Sequence, residues 1–505
     1  MSLALYFALC VVVSAIVIRF SMTLAGRFGV LDHPGGHKQH DTSTPFVGGF
    51  GVVAVVLVAL FLGSIYFPRL PLRSIQTVAA GACVLFVTGF ADDLWHLHFK
   101  TRFVIQAMVA TAMVFLGGVE LLCLGELIPG VRCDLGLLSI PFTIFATIGL
   151  INALNMIDGI DGLSGTLSFI SLGFAALVAW LAQNGHYLIF IVSVMGGIAG
   201  FLYYNLRYPT NGRARVFLGD NGSMLLGFLF AWILIALSQG EQPAMTPVTA
   251  LWVFGVPLLD TVGVMLRRLW LGKSPFRADR NHLHHLFIRA GFRVCDTVFI
   301  LAIVQLTLGA IGLAGLWLGV PEYWMFGLFL LVFAIYFFAI ARPWQIVPNL
   351  RCLNLALGMP SVQARGVFVG YFRKEGSRVV MGALANELAT HYDYRLSLHE
   401  VDSRPKGKPN VFALIEIEGN MDDMAVGELR RMMSLIKVHL SDLPMMHVRL
   451  FMNRTDEYDP RIQKVENRES MDFRRENERR SAQGSAAYYS TTTQEEGGEP
   501  ESVQV

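Results

Sequence analysis

The feature that most limits what this chain can fold into is a succession of apolar runs, each close to the roughly 20 residues that a helix needs to cross a bilayer. Eleven such segments are read, at 3–24, 47–67, 75–91, 103–120, 137–152, 163–183, 187–205, 217–238, 246–266, 297–319 and 323–341. With 54% hydrophobic and only 15% charged residues, and a mean hydropathy of +0.51, the chain takes the bilayer as its solvent. The expected fold is therefore an all-α polytopic membrane protein of about 11 transmembrane helices. The first run has no basic stretch before it and no small-residue cleavage site after it, so it is read as a retained span and not a signal peptide.

Orientation follows from where the basic residues stand. A net charge of +2 gives no global field, and nucleic acid is not an expected partner. With the N-terminus outside, the inward loops hold Arg27, Lys38, Lys100, Arg102, Arg207, Arg213, Arg215, Arg267, Arg268, Lys273, Arg277, Arg280, Arg289 and Arg293. The outward loops hold only Arg69, Arg73 and Arg132. This bias puts residues 342 onward in the cytoplasm.

The six cysteines form no CxxC pair, so no zinc ribbon or disulfide framework is encoded. Cys123 and Cys133 alone fall near an outward loop where a bridge would survive, and that bridge is left open. From about Leu350 the composition becomes that of a soluble domain. Alternating runs at 366–372, 411–417 and 447–452, and a helical pattern over 421–443, predict a small cytoplasmic α+β domain. The resulting division is a membrane domain over 1–345, the α+β domain over 346–463, and a disordered tail over 464–505, where charged and then Ser, Thr, Gly and Glu-rich sequence buries too little to order itself.

Polar residues that spans normally avoid gather in five inward segments. Asp32 to His40, followed by Pro45 to Gly49, offers tight turns together with Lys38 and His40 for phosphate oxygens, or is simply a basic loop. Asp92 and Asp93 stand side by side at the inner end of the third span. Such a pair repels unless a cation or a cationic partner neutralises it, which argues for a metal or catalytic role over a merely solvated helix end. Asn152, Asn155, Asp158 and Asp161 recur every third residue among Gly159, Gly162 and Gly165. They cannot all share one helix face unless the glycines break the helix, and their oxygens suit a hard cation such as magnesium. Asp220 lies where a loop enters a span, as a helix cap or, with glycines on both sides, as a metal ligand. Asp260 and Arg267, seven apart, would share a face, and an internal ion pair is the plain reading of that acid. Arg280, His282, His284 and His285 lack the spacing of a zinc site and look like an anion-binding loop for a nucleotide diphosphate.

In their order, Gly-Phe-Ala-Asp-Asp, Asn-Ala-Leu-Asn-Met-Ile-Asp-Gly-Ile-Asp-Gly-Leu, Phe-Leu-Gly-Asp-Asn-Gly-Ser and His-Leu-His-His resemble the signatures of the polyprenyl-phosphate N-acetylhexosamine-1-phosphate transferases, in particular the WecA and TagO type. The resemblance covers roughly residues 1–345. It implies that a lipid phosphate attacks the sugar-side phosphorus of a UDP-sugar, releasing UMP, in the inner membrane of a bacterium. It further implies Asp220 and Asn155 at a magnesium ion, with manganese as a substitute, and Asp92, beside Asp93, at the lipid phosphate. Asp158 and Asp161 would shape the catalytic pocket. Lys38, His40, Asn152, Arg280, His282, His284 and His285 would bind substrate.

The first loop departs from the family pattern, with His37-Lys38 in place of Arg-Lys and Thr44-Pro45 in place of two prolines. The region after 345 has no counterpart in the minimal family enzyme. Recruitment of a following glycosyltransferase is its expected role, and a homodimer is also entertained. The segment from Ser274 to His285 resembles the type that takes UDP-N-acetylglucosamine. Two other functions stay in view: the transferase that takes UDP-MurNAc-pentapeptide, and an ion-coupled transporter. The transporter fits less well, because the outward loops carry no cluster to match the inward one.

Overall fold

A run of apolar residues in lipid must close its backbone hydrogen bonds within itself, and a helix does so at 1.5 Å per residue. The computed structural model follows that rule in the described apolar segments. It describes residues 2–31, 44–66, 72–207, 213–275, 279, 281–341 and 343–357, and the strand residues 365–372, 394–403, 410–419, 448–452 and 502–504. The helices are α1 (Leu3–Phe28), α2 (Gly48–Tyr66), α3 (Leu72–Trp95), α4 (Phe99–Phe115), α5 (Ser139–Ile157), α6 (Leu163–Leu181), α7 (Gly185–Asn205), α8 (Gly219–Ser238), α9 (Pro247–Val253), α10 (Gly255–Trp270), α11 (Leu283–Arg289), α12 (Val294–Trp317), α13 (Glu322–Ala341) and α14 (Pro343–Ala356).

Each of the eleven expected segments falls on helix. Eight helices among the described residues are long and apolar enough to cross a membrane, and a bent pair makes a ninth. Helix α4, at 17 residues, and the described apolar part of α2 are shorter. One expectation is corrected: 246–266 is not a straight span. It is broken into α9 and α10, which meet at 87°. Pro257 sits in the first turn of α10, where a missing N–H costs nothing, so it starts the second helix and does not continue the first.

The chain divides into two compact units. The first comprises Met1–His284 and Val294–Ala341. At its centre stands α8, in which every residue but Gly219, Asp220 and Ala236 is buried. Helices α3, α5 and α2 pack against it, and α1, α6 and α7 form a neighbouring layer. At one end of the bundle the segment 121–135 folds back on itself, with Leu124 N–H donating to the Cys133 carbonyl (2.9 Å) and Cys133 N–H to that of Gly125 (2.8 Å). Gln239, just past α8, accepts from the N–H groups of Leu122 and Cys123 and so fixes this loop. Cys123 and Cys133 are both free.

The second unit, His285–Arg293 with Arg342–Val505, contains α14 and five strands: β1 (Arg365–Phe372), β2 (Tyr394–Ser403), β3 (Asn410–Gly419), β4 (Val448–Met452) and β5 (Ser502–Gln504). They form one sheet in the order β4-β1-β3-β2-β5, antiparallel at every pairing. Because β1 and β2 both oppose β3, they run parallel to each other, and so do β3 and β4. This is the strand order of a split β-α-β arrangement. Parallel strands need crossovers of about a dozen residues or more, a length that 373–393 and 420–447 provide. The helix expected over 421–443 lies outside the described residues. So does the tail expected over 464–505, apart from β5.

Candidate active site

Four elements bring their polar residues to the end of the bundle where α8 begins. Gly219 opens α8 with φ +75°, a left-handed turn that an L side chain resists, and so delivers Asp220 into the first turn. The first N–H groups of any helix lack partners. Here Asp93, from the end of α3, supplies them: its carboxylate accepts from the N–H of Asp220 (2.9 Å), the N–H of Asn221 (3.2 Å) and the Asn221 side-chain amide (2.7 Å). The capping role left open for Asp220 thus belongs to Asp93, and Asp220 is free for other work. The two helices can meet this closely because residue 89 is glycine. A Cβ there would lie 2.3 Å from the Asp220 carbonyl and 2.5 Å from the Asn221 backbone.

Asp92 is buried and forms an ion pair with Arg102, near the start of α4. The same guanidinium stands 3.5 Å from Asp220. The adjacent acids therefore each have a partner, Asp92 an arginine and Asp93 the N–H groups at the start of a helix. Asn155, on the last turns of α5, donates to Asp220 Oδ1 (2.5 Å) and to Ser223 Oγ (3.0 Å). In this geometry Asn155 steadies the Asp220 carboxylate through its side-chain amide.

The series of every-third residues breaks where the glycines are. Helix α5 ends at Ile157, Asp158 leaves helical geometry with ψ 49°, and Gly162 opens α6 with φ +83°. The four side chains consequently go different ways. Asn152 donates to Gln106 on α4 (2.9 Å) and to the Ile148 carbonyl (2.8 Å), and Asn155 reaches Asp220. Asp158 accepts from Ser164 at the start of α6. Asp161 accepts from Arg207 Nε (2.7 Å) and from Ala214 N–H (3.2 Å), which ties the loop before α8 to this turn.

Burial pushes the Asp158 carboxyl up to about 7, helped by the negative charges of Asp93 and Asp161 and opposed by the Ser164 hydrogen bond. A carboxyl raised in the fold binds its proton more tightly there than in the unfolded chain. Its contribution to stability is therefore full below the ordinary carboxylate range near pH 4 and is lost as pH rises towards 7. Melting in magnesium-free detergent is expected to fall by several degrees over that window in the native protein and by less in Asp158→Asn. Parallel curves for the two proteins would refute the assignment.

The histidine segment meets the bundle through Asp260. His282 Nδ1 lies 2.8 Å from Asp260 Oδ2, and Asp260 Oδ1 accepts from Leu283 N–H (2.9 Å) and Tyr336 Oη (2.5 Å). The expected Asp260–Arg267 ion pair is thus corrected. Arg267 turns instead towards Asp279 (3.8 Å), which Arg268 also engages (2.7 Å). These arginines, with the amide of Asn281, hold the Asp279 carboxyl below the usual range although burial alone would raise it. His284 is fully buried and stacks on His282, with ring centroids 5.7 Å apart. Its Nε2 occupies the space that a Cβ on Gly159 would need. His285 belongs to the second unit, and Lys38, His40 and Arg280 lie outside the described residues.

Ser223, the last residue of the Phe-Leu-Gly-Asp-Asn-Gly-Ser motif, and Arg102, Gln106, Ser164 and Tyr336, which lie in no motif, complete this end of the bundle. A buried glutamine inside an apolar run was the one local signal.

The family model for glycosyl transferase family 4 matches residues 75–238, the stretch from α3 to α8 that carries Asp92, Asn155 and Asp220. An undecaprenyl-phosphate alpha-N-acetylglucosaminyl 1-phosphate transferase of Salmonella typhi is 35% identical over 334 residues, covering 66% of this chain and 89% of its own length. The chain belongs to glycosyl transferase family 4. Proteins of the same name from Escherichia coli strain K12 and Haemophilus influenzae are each 36% identical, over 328 and 333 residues, with 88% and 91% of their lengths covered. For a family 4 chain the cluster around Asp220 is accordingly the candidate active site, and about a third of this chain lies beyond what these relatives match.

Proposed function

We propose that this chain transfers N-acetylglucosamine 1-phosphate from UDP-N-acetylglucosamine to undecaprenyl phosphate. The observation that carries the reading is the meeting of Asp220, Asn155 and the Asp92–Arg102 pair at the head of α8, in a chain whose family 4 relatives are named for that transfer. A lipid phosphate oxygen forms a bond to the sugar-side phosphorus, and the bond from that phosphorus to the bridging oxygen breaks, so UMP leaves with the electron pair. Arg102 meets the incoming phosphate charge while Asp92 holds its guanidinium in place. Asp93 keeps the first turn of α8 rigid, so that Asp220 does not drift. Asp158 and Asp161 fix the turn that lines the nucleotide side, and the histidine segment takes the diphosphate or uridine end.

The donor set fits magnesium. Among the described residues no three His, Cys, Asp or Glu side chains form a metal cage. Magnesium, however, commonly takes one or two carboxylates together with water and substrate phosphates, and the partly exposed Asp220 offers such a carboxylate. Bound there, the ion supplies neutralisation of the diphosphate and of the charge that builds on the leaving UMP. Manganese has the same preference for oxygen donors.

The test is transfer of labelled sugar phosphate into lipid by the full chain in detergent, with UDP-N-acetylglucosamine and UDP-MurNAc-pentapeptide as rival donors. Magnesium-dependent labelling from the first donor, abolished by a chelator, is expected. Labelling from the muramyl donor alone would overturn the reading.

The location that goes with this function is a bacterial inner membrane. The eight long helices, the bent pair, α2 and α4 make eleven crossings, with the polar end of the bundle in the cytoplasm. Residues 346–463 then form a cytoplasmic α+β domain with 464–505 as its tail, suited to recruiting a following glycosyltransferase, and pairing into a homodimer is compatible with it. Deleting 350–505 should leave transfer in membranes intact and lower polysaccharide output in cells, and unchanged output would rule out the recruiting role.

A further inference from the structure

Among the described residues of the first unit, Asp260 is the most deeply enclosed acid that the proposed chemistry does not use. It is 1% exposed, in a helix flanked by apolar spans, and a lone carboxylate there would be costly. Its partners explain its presence. One oxygen meets His282 Nδ1, and the other takes both the first N–H of α11 and the hydroxyl of Tyr336 on α13. Tyr336 reaches this point because Gly263, one turn after Asp260, leaves room for its ring. A Cβ on residue 263 would lie 2.7 Å from Tyr336 Cε1.

A carboxylate on one nitrogen of an imidazole fixes both the ring's orientation and the nitrogen that carries the proton. His282 in turn stacks on His284, whose ring lies over Gly159, next to Asp158. The chain of contacts thus runs from the last helix of the unit to the turn that bounds the proposed nucleotide side. We infer that Asp260 and Tyr336 form a positioning pair that orients His282, and through it His284, against the Gly159 turn that bounds the diphosphate or uridine end of the donor substrate. This rests on the function proposed above only for the identity of the substrate. The groups facing His282 are Asp260 and, through it, Tyr336, together with His284, Asp279 and Arg268. Burial opposes its charged form, yet Asp260 and then Asp279 outweigh burial and Arg268 and hold the imidazole above its ordinary value.

The experiment compares the native full chain, Asp260→Asn and Tyr336→Phe in detergent. Hydrogen–deuterium exchange at histidine C2, read by mass spectrometry, reports the titration midpoint of His282, and kinetics report KM for UDP-N-acetylglucosamine and for the lipid phosphate separately. In Asp260→Asn the His282 midpoint should fall and KM for the nucleotide sugar should rise several-fold, while KM for the lipid phosphate holds. Tyr336→Phe, which keeps the ring in its slot, should raise KM for the nucleotide sugar by a smaller factor with its melting temperature retained. An unmoved His282 midpoint in Asp260→Asn, or a rise of both KM values in step with lost stability, would overturn the proposal. A native protein without transfer activity would count against the proposed function alone, and the His282 midpoints would still decide the positioning role.

Discussion

Asp220→Ala is expected to lower transfer by about a thousandfold in kcat, the scale seen when a preorganised electrostatic group is lost from an active site. The protein should still fold. The N–H groups of the first turn of α8 are satisfied by Asp93 and not by Asp220, so removing the Asp220 carboxylate leaves the helix start intact. It leaves Asn155 and Arg102 each short of one partner, and Arg102 keeps Asp92. Melting temperature should accordingly move little while magnesium-dependent labelling of lipid disappears. Activity near the native level in Asp220→Ala would remove Asp220 from the chemistry altogether.

The second large effect is steric. Gly89→Ala puts a methyl group 2.3 Å from the Asp220 carbonyl and 2.5 Å from the Asn221 backbone. The obstacle is backbone, so no side chain can swing away to make room. Either α3 and α8 separate or the first turn of α8 unwinds, and in both cases the Asp93 cap is pulled off its N–H groups. Overpacking of this kind costs roughly 1–3 kcal/mol, occasionally more. A lost cap adds about 1 kcal/mol. The expected outcome is a marked fall in melting temperature together with loss of transfer. Gly149→Ala is the control: on α5, a Cβ at 149 meets nothing within 4 Å, and both quantities should stay near the native values. Equal behaviour of the two variants would mean that the close α3–α8 approach is not what holds Asp220.

Much of this was legible in the sequence because the bilayer narrows the options so far. The apolar runs fell on helices, and Asp92 and Asp93 stand at an arginine and at a helix start. The break after α5 was foreshadowed by a conflict between three-residue spacing and helical pitch. What stayed hidden was set by tertiary partners. Spacing put Arg267 on the same face as Asp260, yet the carboxylate bonds to His282 and to Tyr336, 22 and 76 residues away, since a helix face says which way a side chain points and not what waits there. Arg102 read as one more inward charge until the α3–α4 turn folded it back onto Asp92. The bend at Phe254 was signalled only by Gly255 and Pro257, residues that membrane helices also tolerate.

The enclosure of α8 reaches beyond packing. Its flanks touch protein almost everywhere, whereas α1 and α13 are buried along only a small part of their length. A bilayer thicker or thinner than the protein's apolar belt is accommodated by tilt and local deformation where helices meet lipid, and that means the outer helices. Asp220 therefore keeps a depth set by neighbouring helices and not by the membrane. A lipid-borne phosphate has to arrive at that fixed level, so mismatch should act on the docking of the lipid substrate before it disturbs the arrangement of the reacting groups.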